Sequence, residues 1–109
     1  MKNKIKIMRI TNEGELAIMF IDNTLEAFQQ EVEGYIECVP VVGDILAICN
    51  EEGLIKGLPL TLATCGGFGL LHGNIVFCEQ DGEEFAGLSD NSLQLLHKLL
   101  FYRDGLWRL

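Results

Sequence analysis

Residues 64 to 73 read TCGGFGLLHG, which sets Gly66, Gly67, Gly69 and Gly73 beside His72. A glycine-rich loop can turn several backbone N–H groups toward one anion, and an imidazole alongside adds a donor or a base. The spacing G-x-G-x-x-x-G departs from the dinucleotide fingerprint by one residue. The next apolar run, from Ile75 to Cys78, has the character of a strand rather than a helix. A phosphate loop of the Walker type needs Lys and a hydroxyl residue after its last glycine, where Asn74-Ile75 stands. The expectation that survives is a glycine-permitted turn, or a site for a small anionic ligand such as a nucleotide signal, formed by Gly66, Gly67, Gly69, His72 and Gly73.

The thiols offer less. Cys38, Cys49, Cys65 and Cys78 contain no C-x-x-C pair, so neither a metal site nor a disulfide framework is expected, and they read as buried small hydrophobes. Cys65 with His72 is the one nucleophile–base pair close in sequence, and it has no carboxylate neighbour to orient it. His97, between Leu93 and Phe101, reads as a packing residue. No residues are expected to converge into a reacting centre, so the chain reads as non-catalytic, with no cofactor. A thiol, an imidazole and a carboxylate gathered in one cleft would overturn that.

The acids fall into two runs. Glu26, Glu31, Glu33 and Glu37 span the first helix and the strand after it, and Glu79, Asp81, Glu83 and Glu84 crowd a late hairpin without calcium-loop order. Both suit solvated faces; the first run, with Trp107, is the candidate surface for a protein partner. A net charge of −8 disfavours direct contact with nucleic acid, which needs a basic surface to release counterions.

These residues need elements to hold them. The chain has 109 residues, 49% of them hydrophobic, enough for one domain over 1–109 with a modest core. Turn signals at TNEG (11–14), NEEG (50–53) and QDG (80–82) predict hairpins, with strands near 4–10, 15–21, 35–40, 44–49, 54–58, 74–79 and 83–86. Asn23 is the expected cap of a first helix, with Glu26 in the capping-box position, Leu25, Phe28 and Val32 on one face, and Gly34 ending it. Ser89 opens a second helix with a stripe of Leu93, Leu96 and Leu100, and with Lys98 and Arg103 toward its far end. Leu106, Trp107 and Leu109 of the tail must pack back on the domain or against a partner. The class expected is α+β: a mostly antiparallel sheet built from hairpins with two helices packed on one face.

Residues 57–78 contain no Asp, Glu, Lys or Arg, but Pro59, five glycines, His72 and Asn74 make a poor membrane helix. A buried strand or loop region, with an apolar face for another subunit in a homo-oligomer, is the better expectation. No signal-peptide pattern opens the chain, so a cytoplasmic location is expected.

Asn23-Thr24-Leu25-Glu26, Gly34-Tyr35-Ile36-Glu37, Asn50-Glu51-Glu52-Gly53 and Gly57-Leu58-Pro59 carry a resemblance, over roughly residues 20 to 100, to an uncharacterised domain family encoded largely by phages, plasmids and other mobile elements of Firmicutes. Thr61 stands where that family often has Asn. The resemblance implies a mobile-element setting and supplies no catalytic residues. It fits a small acidic protein that binds a host protein, such as a defence component, and inhibits or redirects it.

Overall fold

A computed structural model describes residues 3–64 and 69–109. The strands are β1 (Lys4–Ile10), β2 (Leu16–Asp22), β3 (Ile36–Val42), β4 (Ile45–Asn50), β5 (Leu60–Ala63), β6 (Leu70–His72), β7 (Ile75–Asp81), β8 (Glu84–Ala86), β9 (Phe101–Arg103) and β10 (Leu106–Arg108). The helices are α1 (Leu25–Val32), between β2 and β3, and α2 (Asp90–Leu99), between β8 and β9. Among the described residues β1, β2, β3, β4 and β7 form an antiparallel sheet in the order β2-β1-β7-β4-β3, with β8 added beside β7. A smaller sheet runs β6-β5-β10-β9, and in it β10 lies parallel to β5.

The large sheet is apolar on both faces because its central strands are. Every residue of β4 is buried, as are Ile75, Val76, Phe77 and Cys78 of β7. Alternation sends Ile7, Leu46, Ile48, Val76 and Cys78 to one side, where Phe28 and Val32 of α1 cover them. Met8, Ile10, Ala47, Ile75 and Phe77 go to the other, against Leu96 of α2 and Leu62 and Leu71 of the small sheet. The two helices therefore cover opposite faces, which corrects the expectation of one shared face. Burying a side chain the size of Phe28 on the α1 side contributes about 1.5–3 kcal/mol.

Four local expectations also change. Thr24, not Asn23, caps α1 by accepting from the Ala27 amide at 3.2 Å, while the Asn23 side chain donates to the Phe85 carbonyl at 2.9 Å. Glu33, rather than Gly34, takes the left-handed cap position at φ 63°. Residues 54–58 form no strand: Leu54 and Ile55 stand 74% and 84% exposed in a turn. Arg103 lies beyond α2 in β9, which turns through Asp104 and Gly105, at φ 55° and 76°, into β10. Positive φ at both turn residues is the geometry of a two-residue hairpin, and Asp-Gly is a sequence that favours it.

Candidate functional site

The register of β1 with β2 pairs Ile10 with Leu16, Met8 with Ile18 and Lys6 with Phe20. Leu16, Ile18 and Phe20 thus share the α2 face of the sheet. No further strand lies beyond β2 among the described residues. Without that cover they remain 37%, 54% and 59% exposed. Leu93 of α2, its C-cap Leu100 and Trp107 of β10 face Met8, Leu16 and Ile18 across an open groove of about 470 Å³. Trp107 is fixed by its indole N–H, which donates to the Gly14 carbonyl at 2.8 Å, and by the edge of Tyr102, ring centres 5.4 Å apart. Lys98 and His97 are the ionisable residues lining the groove, and neither is acidic. Lys98 and His97 stand exposed on its α2 wall, and Lys6 reaches over the Phe20 ring at 5.8 Å. His97 therefore faces the groove rather than packing into the core.

The acids expected to act with Trp107 do not join it. Glu31 is half-buried on the α1 side and paired with Arg9 at 3.1 Å. Its backbone carbonyl accepts from Asn74 Nδ2 at 2.9 Å, and Asn74 Oδ1 accepts from the Asn12 amide at 3.0 Å. Glu31 is thus part of the seam between α1 and the sheet. Glu26 and Glu33 are exposed at opposite ends of α1, and Glu37 belongs to a second hollow at the far edge.

That second hollow, of about 200 Å³, lies where β6 crosses the ends of β3 and β4, and it is lined by Glu37, Cys49, Asn50, Leu71 and His72. A thiol, an imidazole and a carboxylate line this hollow, but the thiol bonds the carboxylate and the imidazole bonds the Leu58 carbonyl, so the three do not converge. Their bonding, however, opposes nucleophilic chemistry. Cys49 Sγ donates to Glu37 Oε1 at 3.8 Å rather than to His72. Burial, then the charge of Glu37 and that hydrogen bond, push the Cys49 thiol up to about 12. At neutral pH Cys49 is therefore the protonated thiol, which is not the nucleophilic form. His72 Nδ1 lies 2.9 Å from the Leu58 carbonyl, which only accepts, so Nδ1 holds the proton and Nε2 is the free nitrogen.

The glycine loop is only partly in view. Gly66, Gly67 and Cys65 lie outside the described residues. Gly69 and Gly73 adopt φ 75° and 84°. The Gly73 amide donates to the Pro59 carbonyl at 2.8 Å, so that donor serves the fold. Thr61 is buried and donates to the Gly73 carbonyl at 2.6 Å. Among the other thiols Cys38 is exposed, contrary to expectation, and Cys78 is buried. No group of three His, Cys, Asp or Glu side chains is placed to hold a metal among the described residues, and no helix there is long and apolar enough to cross a membrane.

The groove-forming role of Leu16 and Ile18 is missed from sequence because their alternation with Ala17, Met19 and Ile21 reads as an ordinary strand apolar on both faces. The signal present is the absence of any charge or proline from Leu16 to Ile21, which suits a covered strand better than an edge. A family model described as a domain of unknown function (DUF3846) matches residues 5–100. No curated protein and no solved structure matches the chain.

Proposed function

The chain belongs to that family, and from this premise we propose that it is a non-catalytic binding protein whose groove beside β2 takes an apolar segment of a host protein. The setting is that of a mobile element acting in the cytoplasm, where occupying such a segment inhibits or redirects the host protein. The observation that carries this reading is the groove itself. Its apolar walls come from β1, β2, α2 and β10, and Met8, Leu93, Leu100 and Trp107 belong to or pack against one core cluster. Lys98 and His97 are the ionisable residues on its lining. In a chain of net charge −8 this is a local reversal of sign, and it favours a segment that carries carboxylates beside its apolar residues. The non-catalytic reading is supported at the other hollow, where burial, and after it Glu37, keeps Cys49 as a thiol. No observation among the described residues favours the small-anion alternative.

A photo-crosslinking amino acid placed at Ile18 or at Leu93 tests this in host cells. Adducts with a host protein are expected from both groove positions and not from Glu26 or Glu83. They are expected to persist at high salt, because apolar contact dominates. Adducts from Glu26 alone, or none from the groove, would reject the reading.

A further inference from the structure

We infer that two copies of this chain pair through β2, edge to edge and antiparallel, about a two-fold axis at Ile18. The Thr11 amide donates to the Glu15 carbonyl at 2.9 Å, and the Asn23 amide to the Asn3 carbonyl at 2.8 Å. These bonds bracket the β1–β2 ladder and fix its parity, because hydrogen-bonded pairs alternate in an antiparallel ladder. The odd residues of β2, from Glu15 to Asn23, turn their backbone groups toward β1. The even residues Leu16, Ile18 and Phe20 turn their N–H and C=O groups outward. Among the described residues no strand receives them. The residues with apolar side chains left half-exposed are therefore the ones whose backbone is left unpaired by any strand.

A second copy completes this edge with its own sequence. With Ile18 opposite Ile18, Leu16 falls opposite the second copy's Phe20 on both sides of the axis. Each pair exchanges two backbone hydrogen bonds and sets apolar on apolar. Ala17 and Met19 pair on the other face, Glu15 falls opposite Ile21, and Gly14 falls opposite Asp22. No charge meets a charge across the seam. The acids Glu13 and Glu15 arrive at the end of the second copy where Lys4 stands on β1, and Lys4, Lys6 and Arg9 make β1 the most basic strand of an acidic chain. Asp22, at the same end of the seam, is held by Lys4 of its own chain at 3.1 Å, so no two like charges stand directly opposite each other. The two grooves lie on the same face of the joined sheet and form one longer trough. The pairing does not require the trough to hold a partner.

A strand seam alone falls below the roughly 1,200 Å² of a standard interface, so a concentration-dependent dimer is expected. Sedimentation velocity of the full chain over a wide concentration range reads the mass, and amide hydrogen exchange by NMR reads the edge. The expected result is a monomer–dimer equilibrium in which the amides of Leu16, Ile18 and Phe20 gain protection with dimer, while those of Ala17, Met19 and Ile21 are protected throughout. Ile18→Lys sets two ammonium groups face to face at the axis and is expected to weaken association roughly tenfold or more. Ile18→Pro, which removes only an outward amide, is expected to do likewise while keeping the folded spectrum. A monomer at every concentration would overturn the inference. So would a dimer whose Leu16, Ile18 and Phe20 amides exchange freely, or one indifferent to both variants. A chain that protects those amides only when a strand of another protein is bound would overturn it in favour of strand donation.

Discussion

The two edges of the large sheet are built by opposite rules. β3 carries Glu37 and Pro40, and its register with β4 shifts between Pro40 and Val42. A charge, a proline and a bulge are the devices that stop an edge from recruiting another strand. β2 has a continuous register and runs from Leu16 to Ile21 with none of them. The hollows follow the edges: the polar one, with Glu37 and His72, opens beside β3, and the apolar one opens beside β2. A fold that blunts one edge so thoroughly and leaves the other apolar separates a face kept in water from a face meant to be covered.

The sharpest way to break this contrast is to move one proline along β2. Met19 gives its amide to the ladder with β1, so Met19→Pro is expected to cost about 3 kcal/mol or more. Ile18→Pro spares the ladder and is expected to cost about 1 kcal/mol or less in the isolated chain. Urea unfolding at low protein concentration compares them, and equal losses would mean that β2 has no open side. The next effect belongs to the β3 side. Asn50, at the end of β4, is 4% exposed. Its Nδ2 donates to the Val32 and Glu33 carbonyls at 3.1 and 3.3 Å, and its Oδ1 accepts from the Glu52 amide at 2.8 Å. Asn50→Ala is expected to cost about 2 kcal/mol by leaving these groups unpaired. Asn50→Asp is expected to cost more, since it points an acceptor at two carbonyls. Gly34→Ala should disturb the same bond, because a Cβ there would stand 2.6 Å from Asn50 Nδ2.

Much of this contrast was legible in the residues, and the rest failed for identifiable reasons. Alternation and the turn glycines located β1, β2, β7 and β8 closely, because those strands are joined by short hairpins. Residues 54–58 form a turn although Leu54 and Ile55 have strand-like side chains, because they follow a chain that is already turning back at Asn50. The continuous apolar runs of β4 and β7 are the mark of strands buried on both faces, and they announced a helix on each side; a one-faced sheet needs polar residues between them. Asp104-Gly105 is the local signal for the last hairpin, in a stretch whose helical leucines and short length suggest only a helix end and a tail. The groove was not legible, since it depends on a contact between residue 14 and residue 107. That Cys49, Glu37 and His72 line one hollow likewise arises from the pairing of β3 with β4 and from β6 crossing over them, which no local pattern encodes.

Thiol chemistry sharpens the comparison from the β3 side. Cys38 is exposed on that edge strand, while Cys49 and Cys78 are buried. Burial first, and nearby charges second, push both buried thiols from 9.0 up to about 12. In the folded chain iodoacetamide should modify Cys38 well ahead of Cys49 and Cys78, as read by site-resolved mass spectrometry. The raised values also fix a sign. Between pH 9 and 12 the unfolded chain loses protons that the folded chain keeps, so stability is full below about 9 and falls as pH rises toward 12. A urea midpoint unchanged from neutral pH to pH 10.5, or rapid labelling of Cys49, would mean that the polar hollow holds a reactive thiol and would return a catalytic reading to that edge.

The smallest effect concerns the wall of the β2 groove. Glu79 of β7 accepts from the Ser89 amide at 2.6 Å, and Ser89 is the cap of α2. Burial raises the Glu79 carboxyl, but hydrogen bonds from the Ser89 amide and from the Ser92 and Ser89 side chains outweigh it and hold it below its ordinary 4.5. Its contribution is therefore present above that value and lost as pH falls through the lower folded one. Because this carboxylate is only half-buried, solvent screens it, and Glu79→Gln should move global stability by only a few tenths of a kcal/mol. The local effect should be larger than the global one. With its start untied from β7, α2 is expected to exchange its first-turn amides faster, while amides of β3 and β4 stay as protected as before. Equal loosening on both sides would mean that the groove wall and the β3 edge share one cooperative unit. Loosening confined to α2 would show that the face left apolar is also the face whose wall can adjust to what covers it.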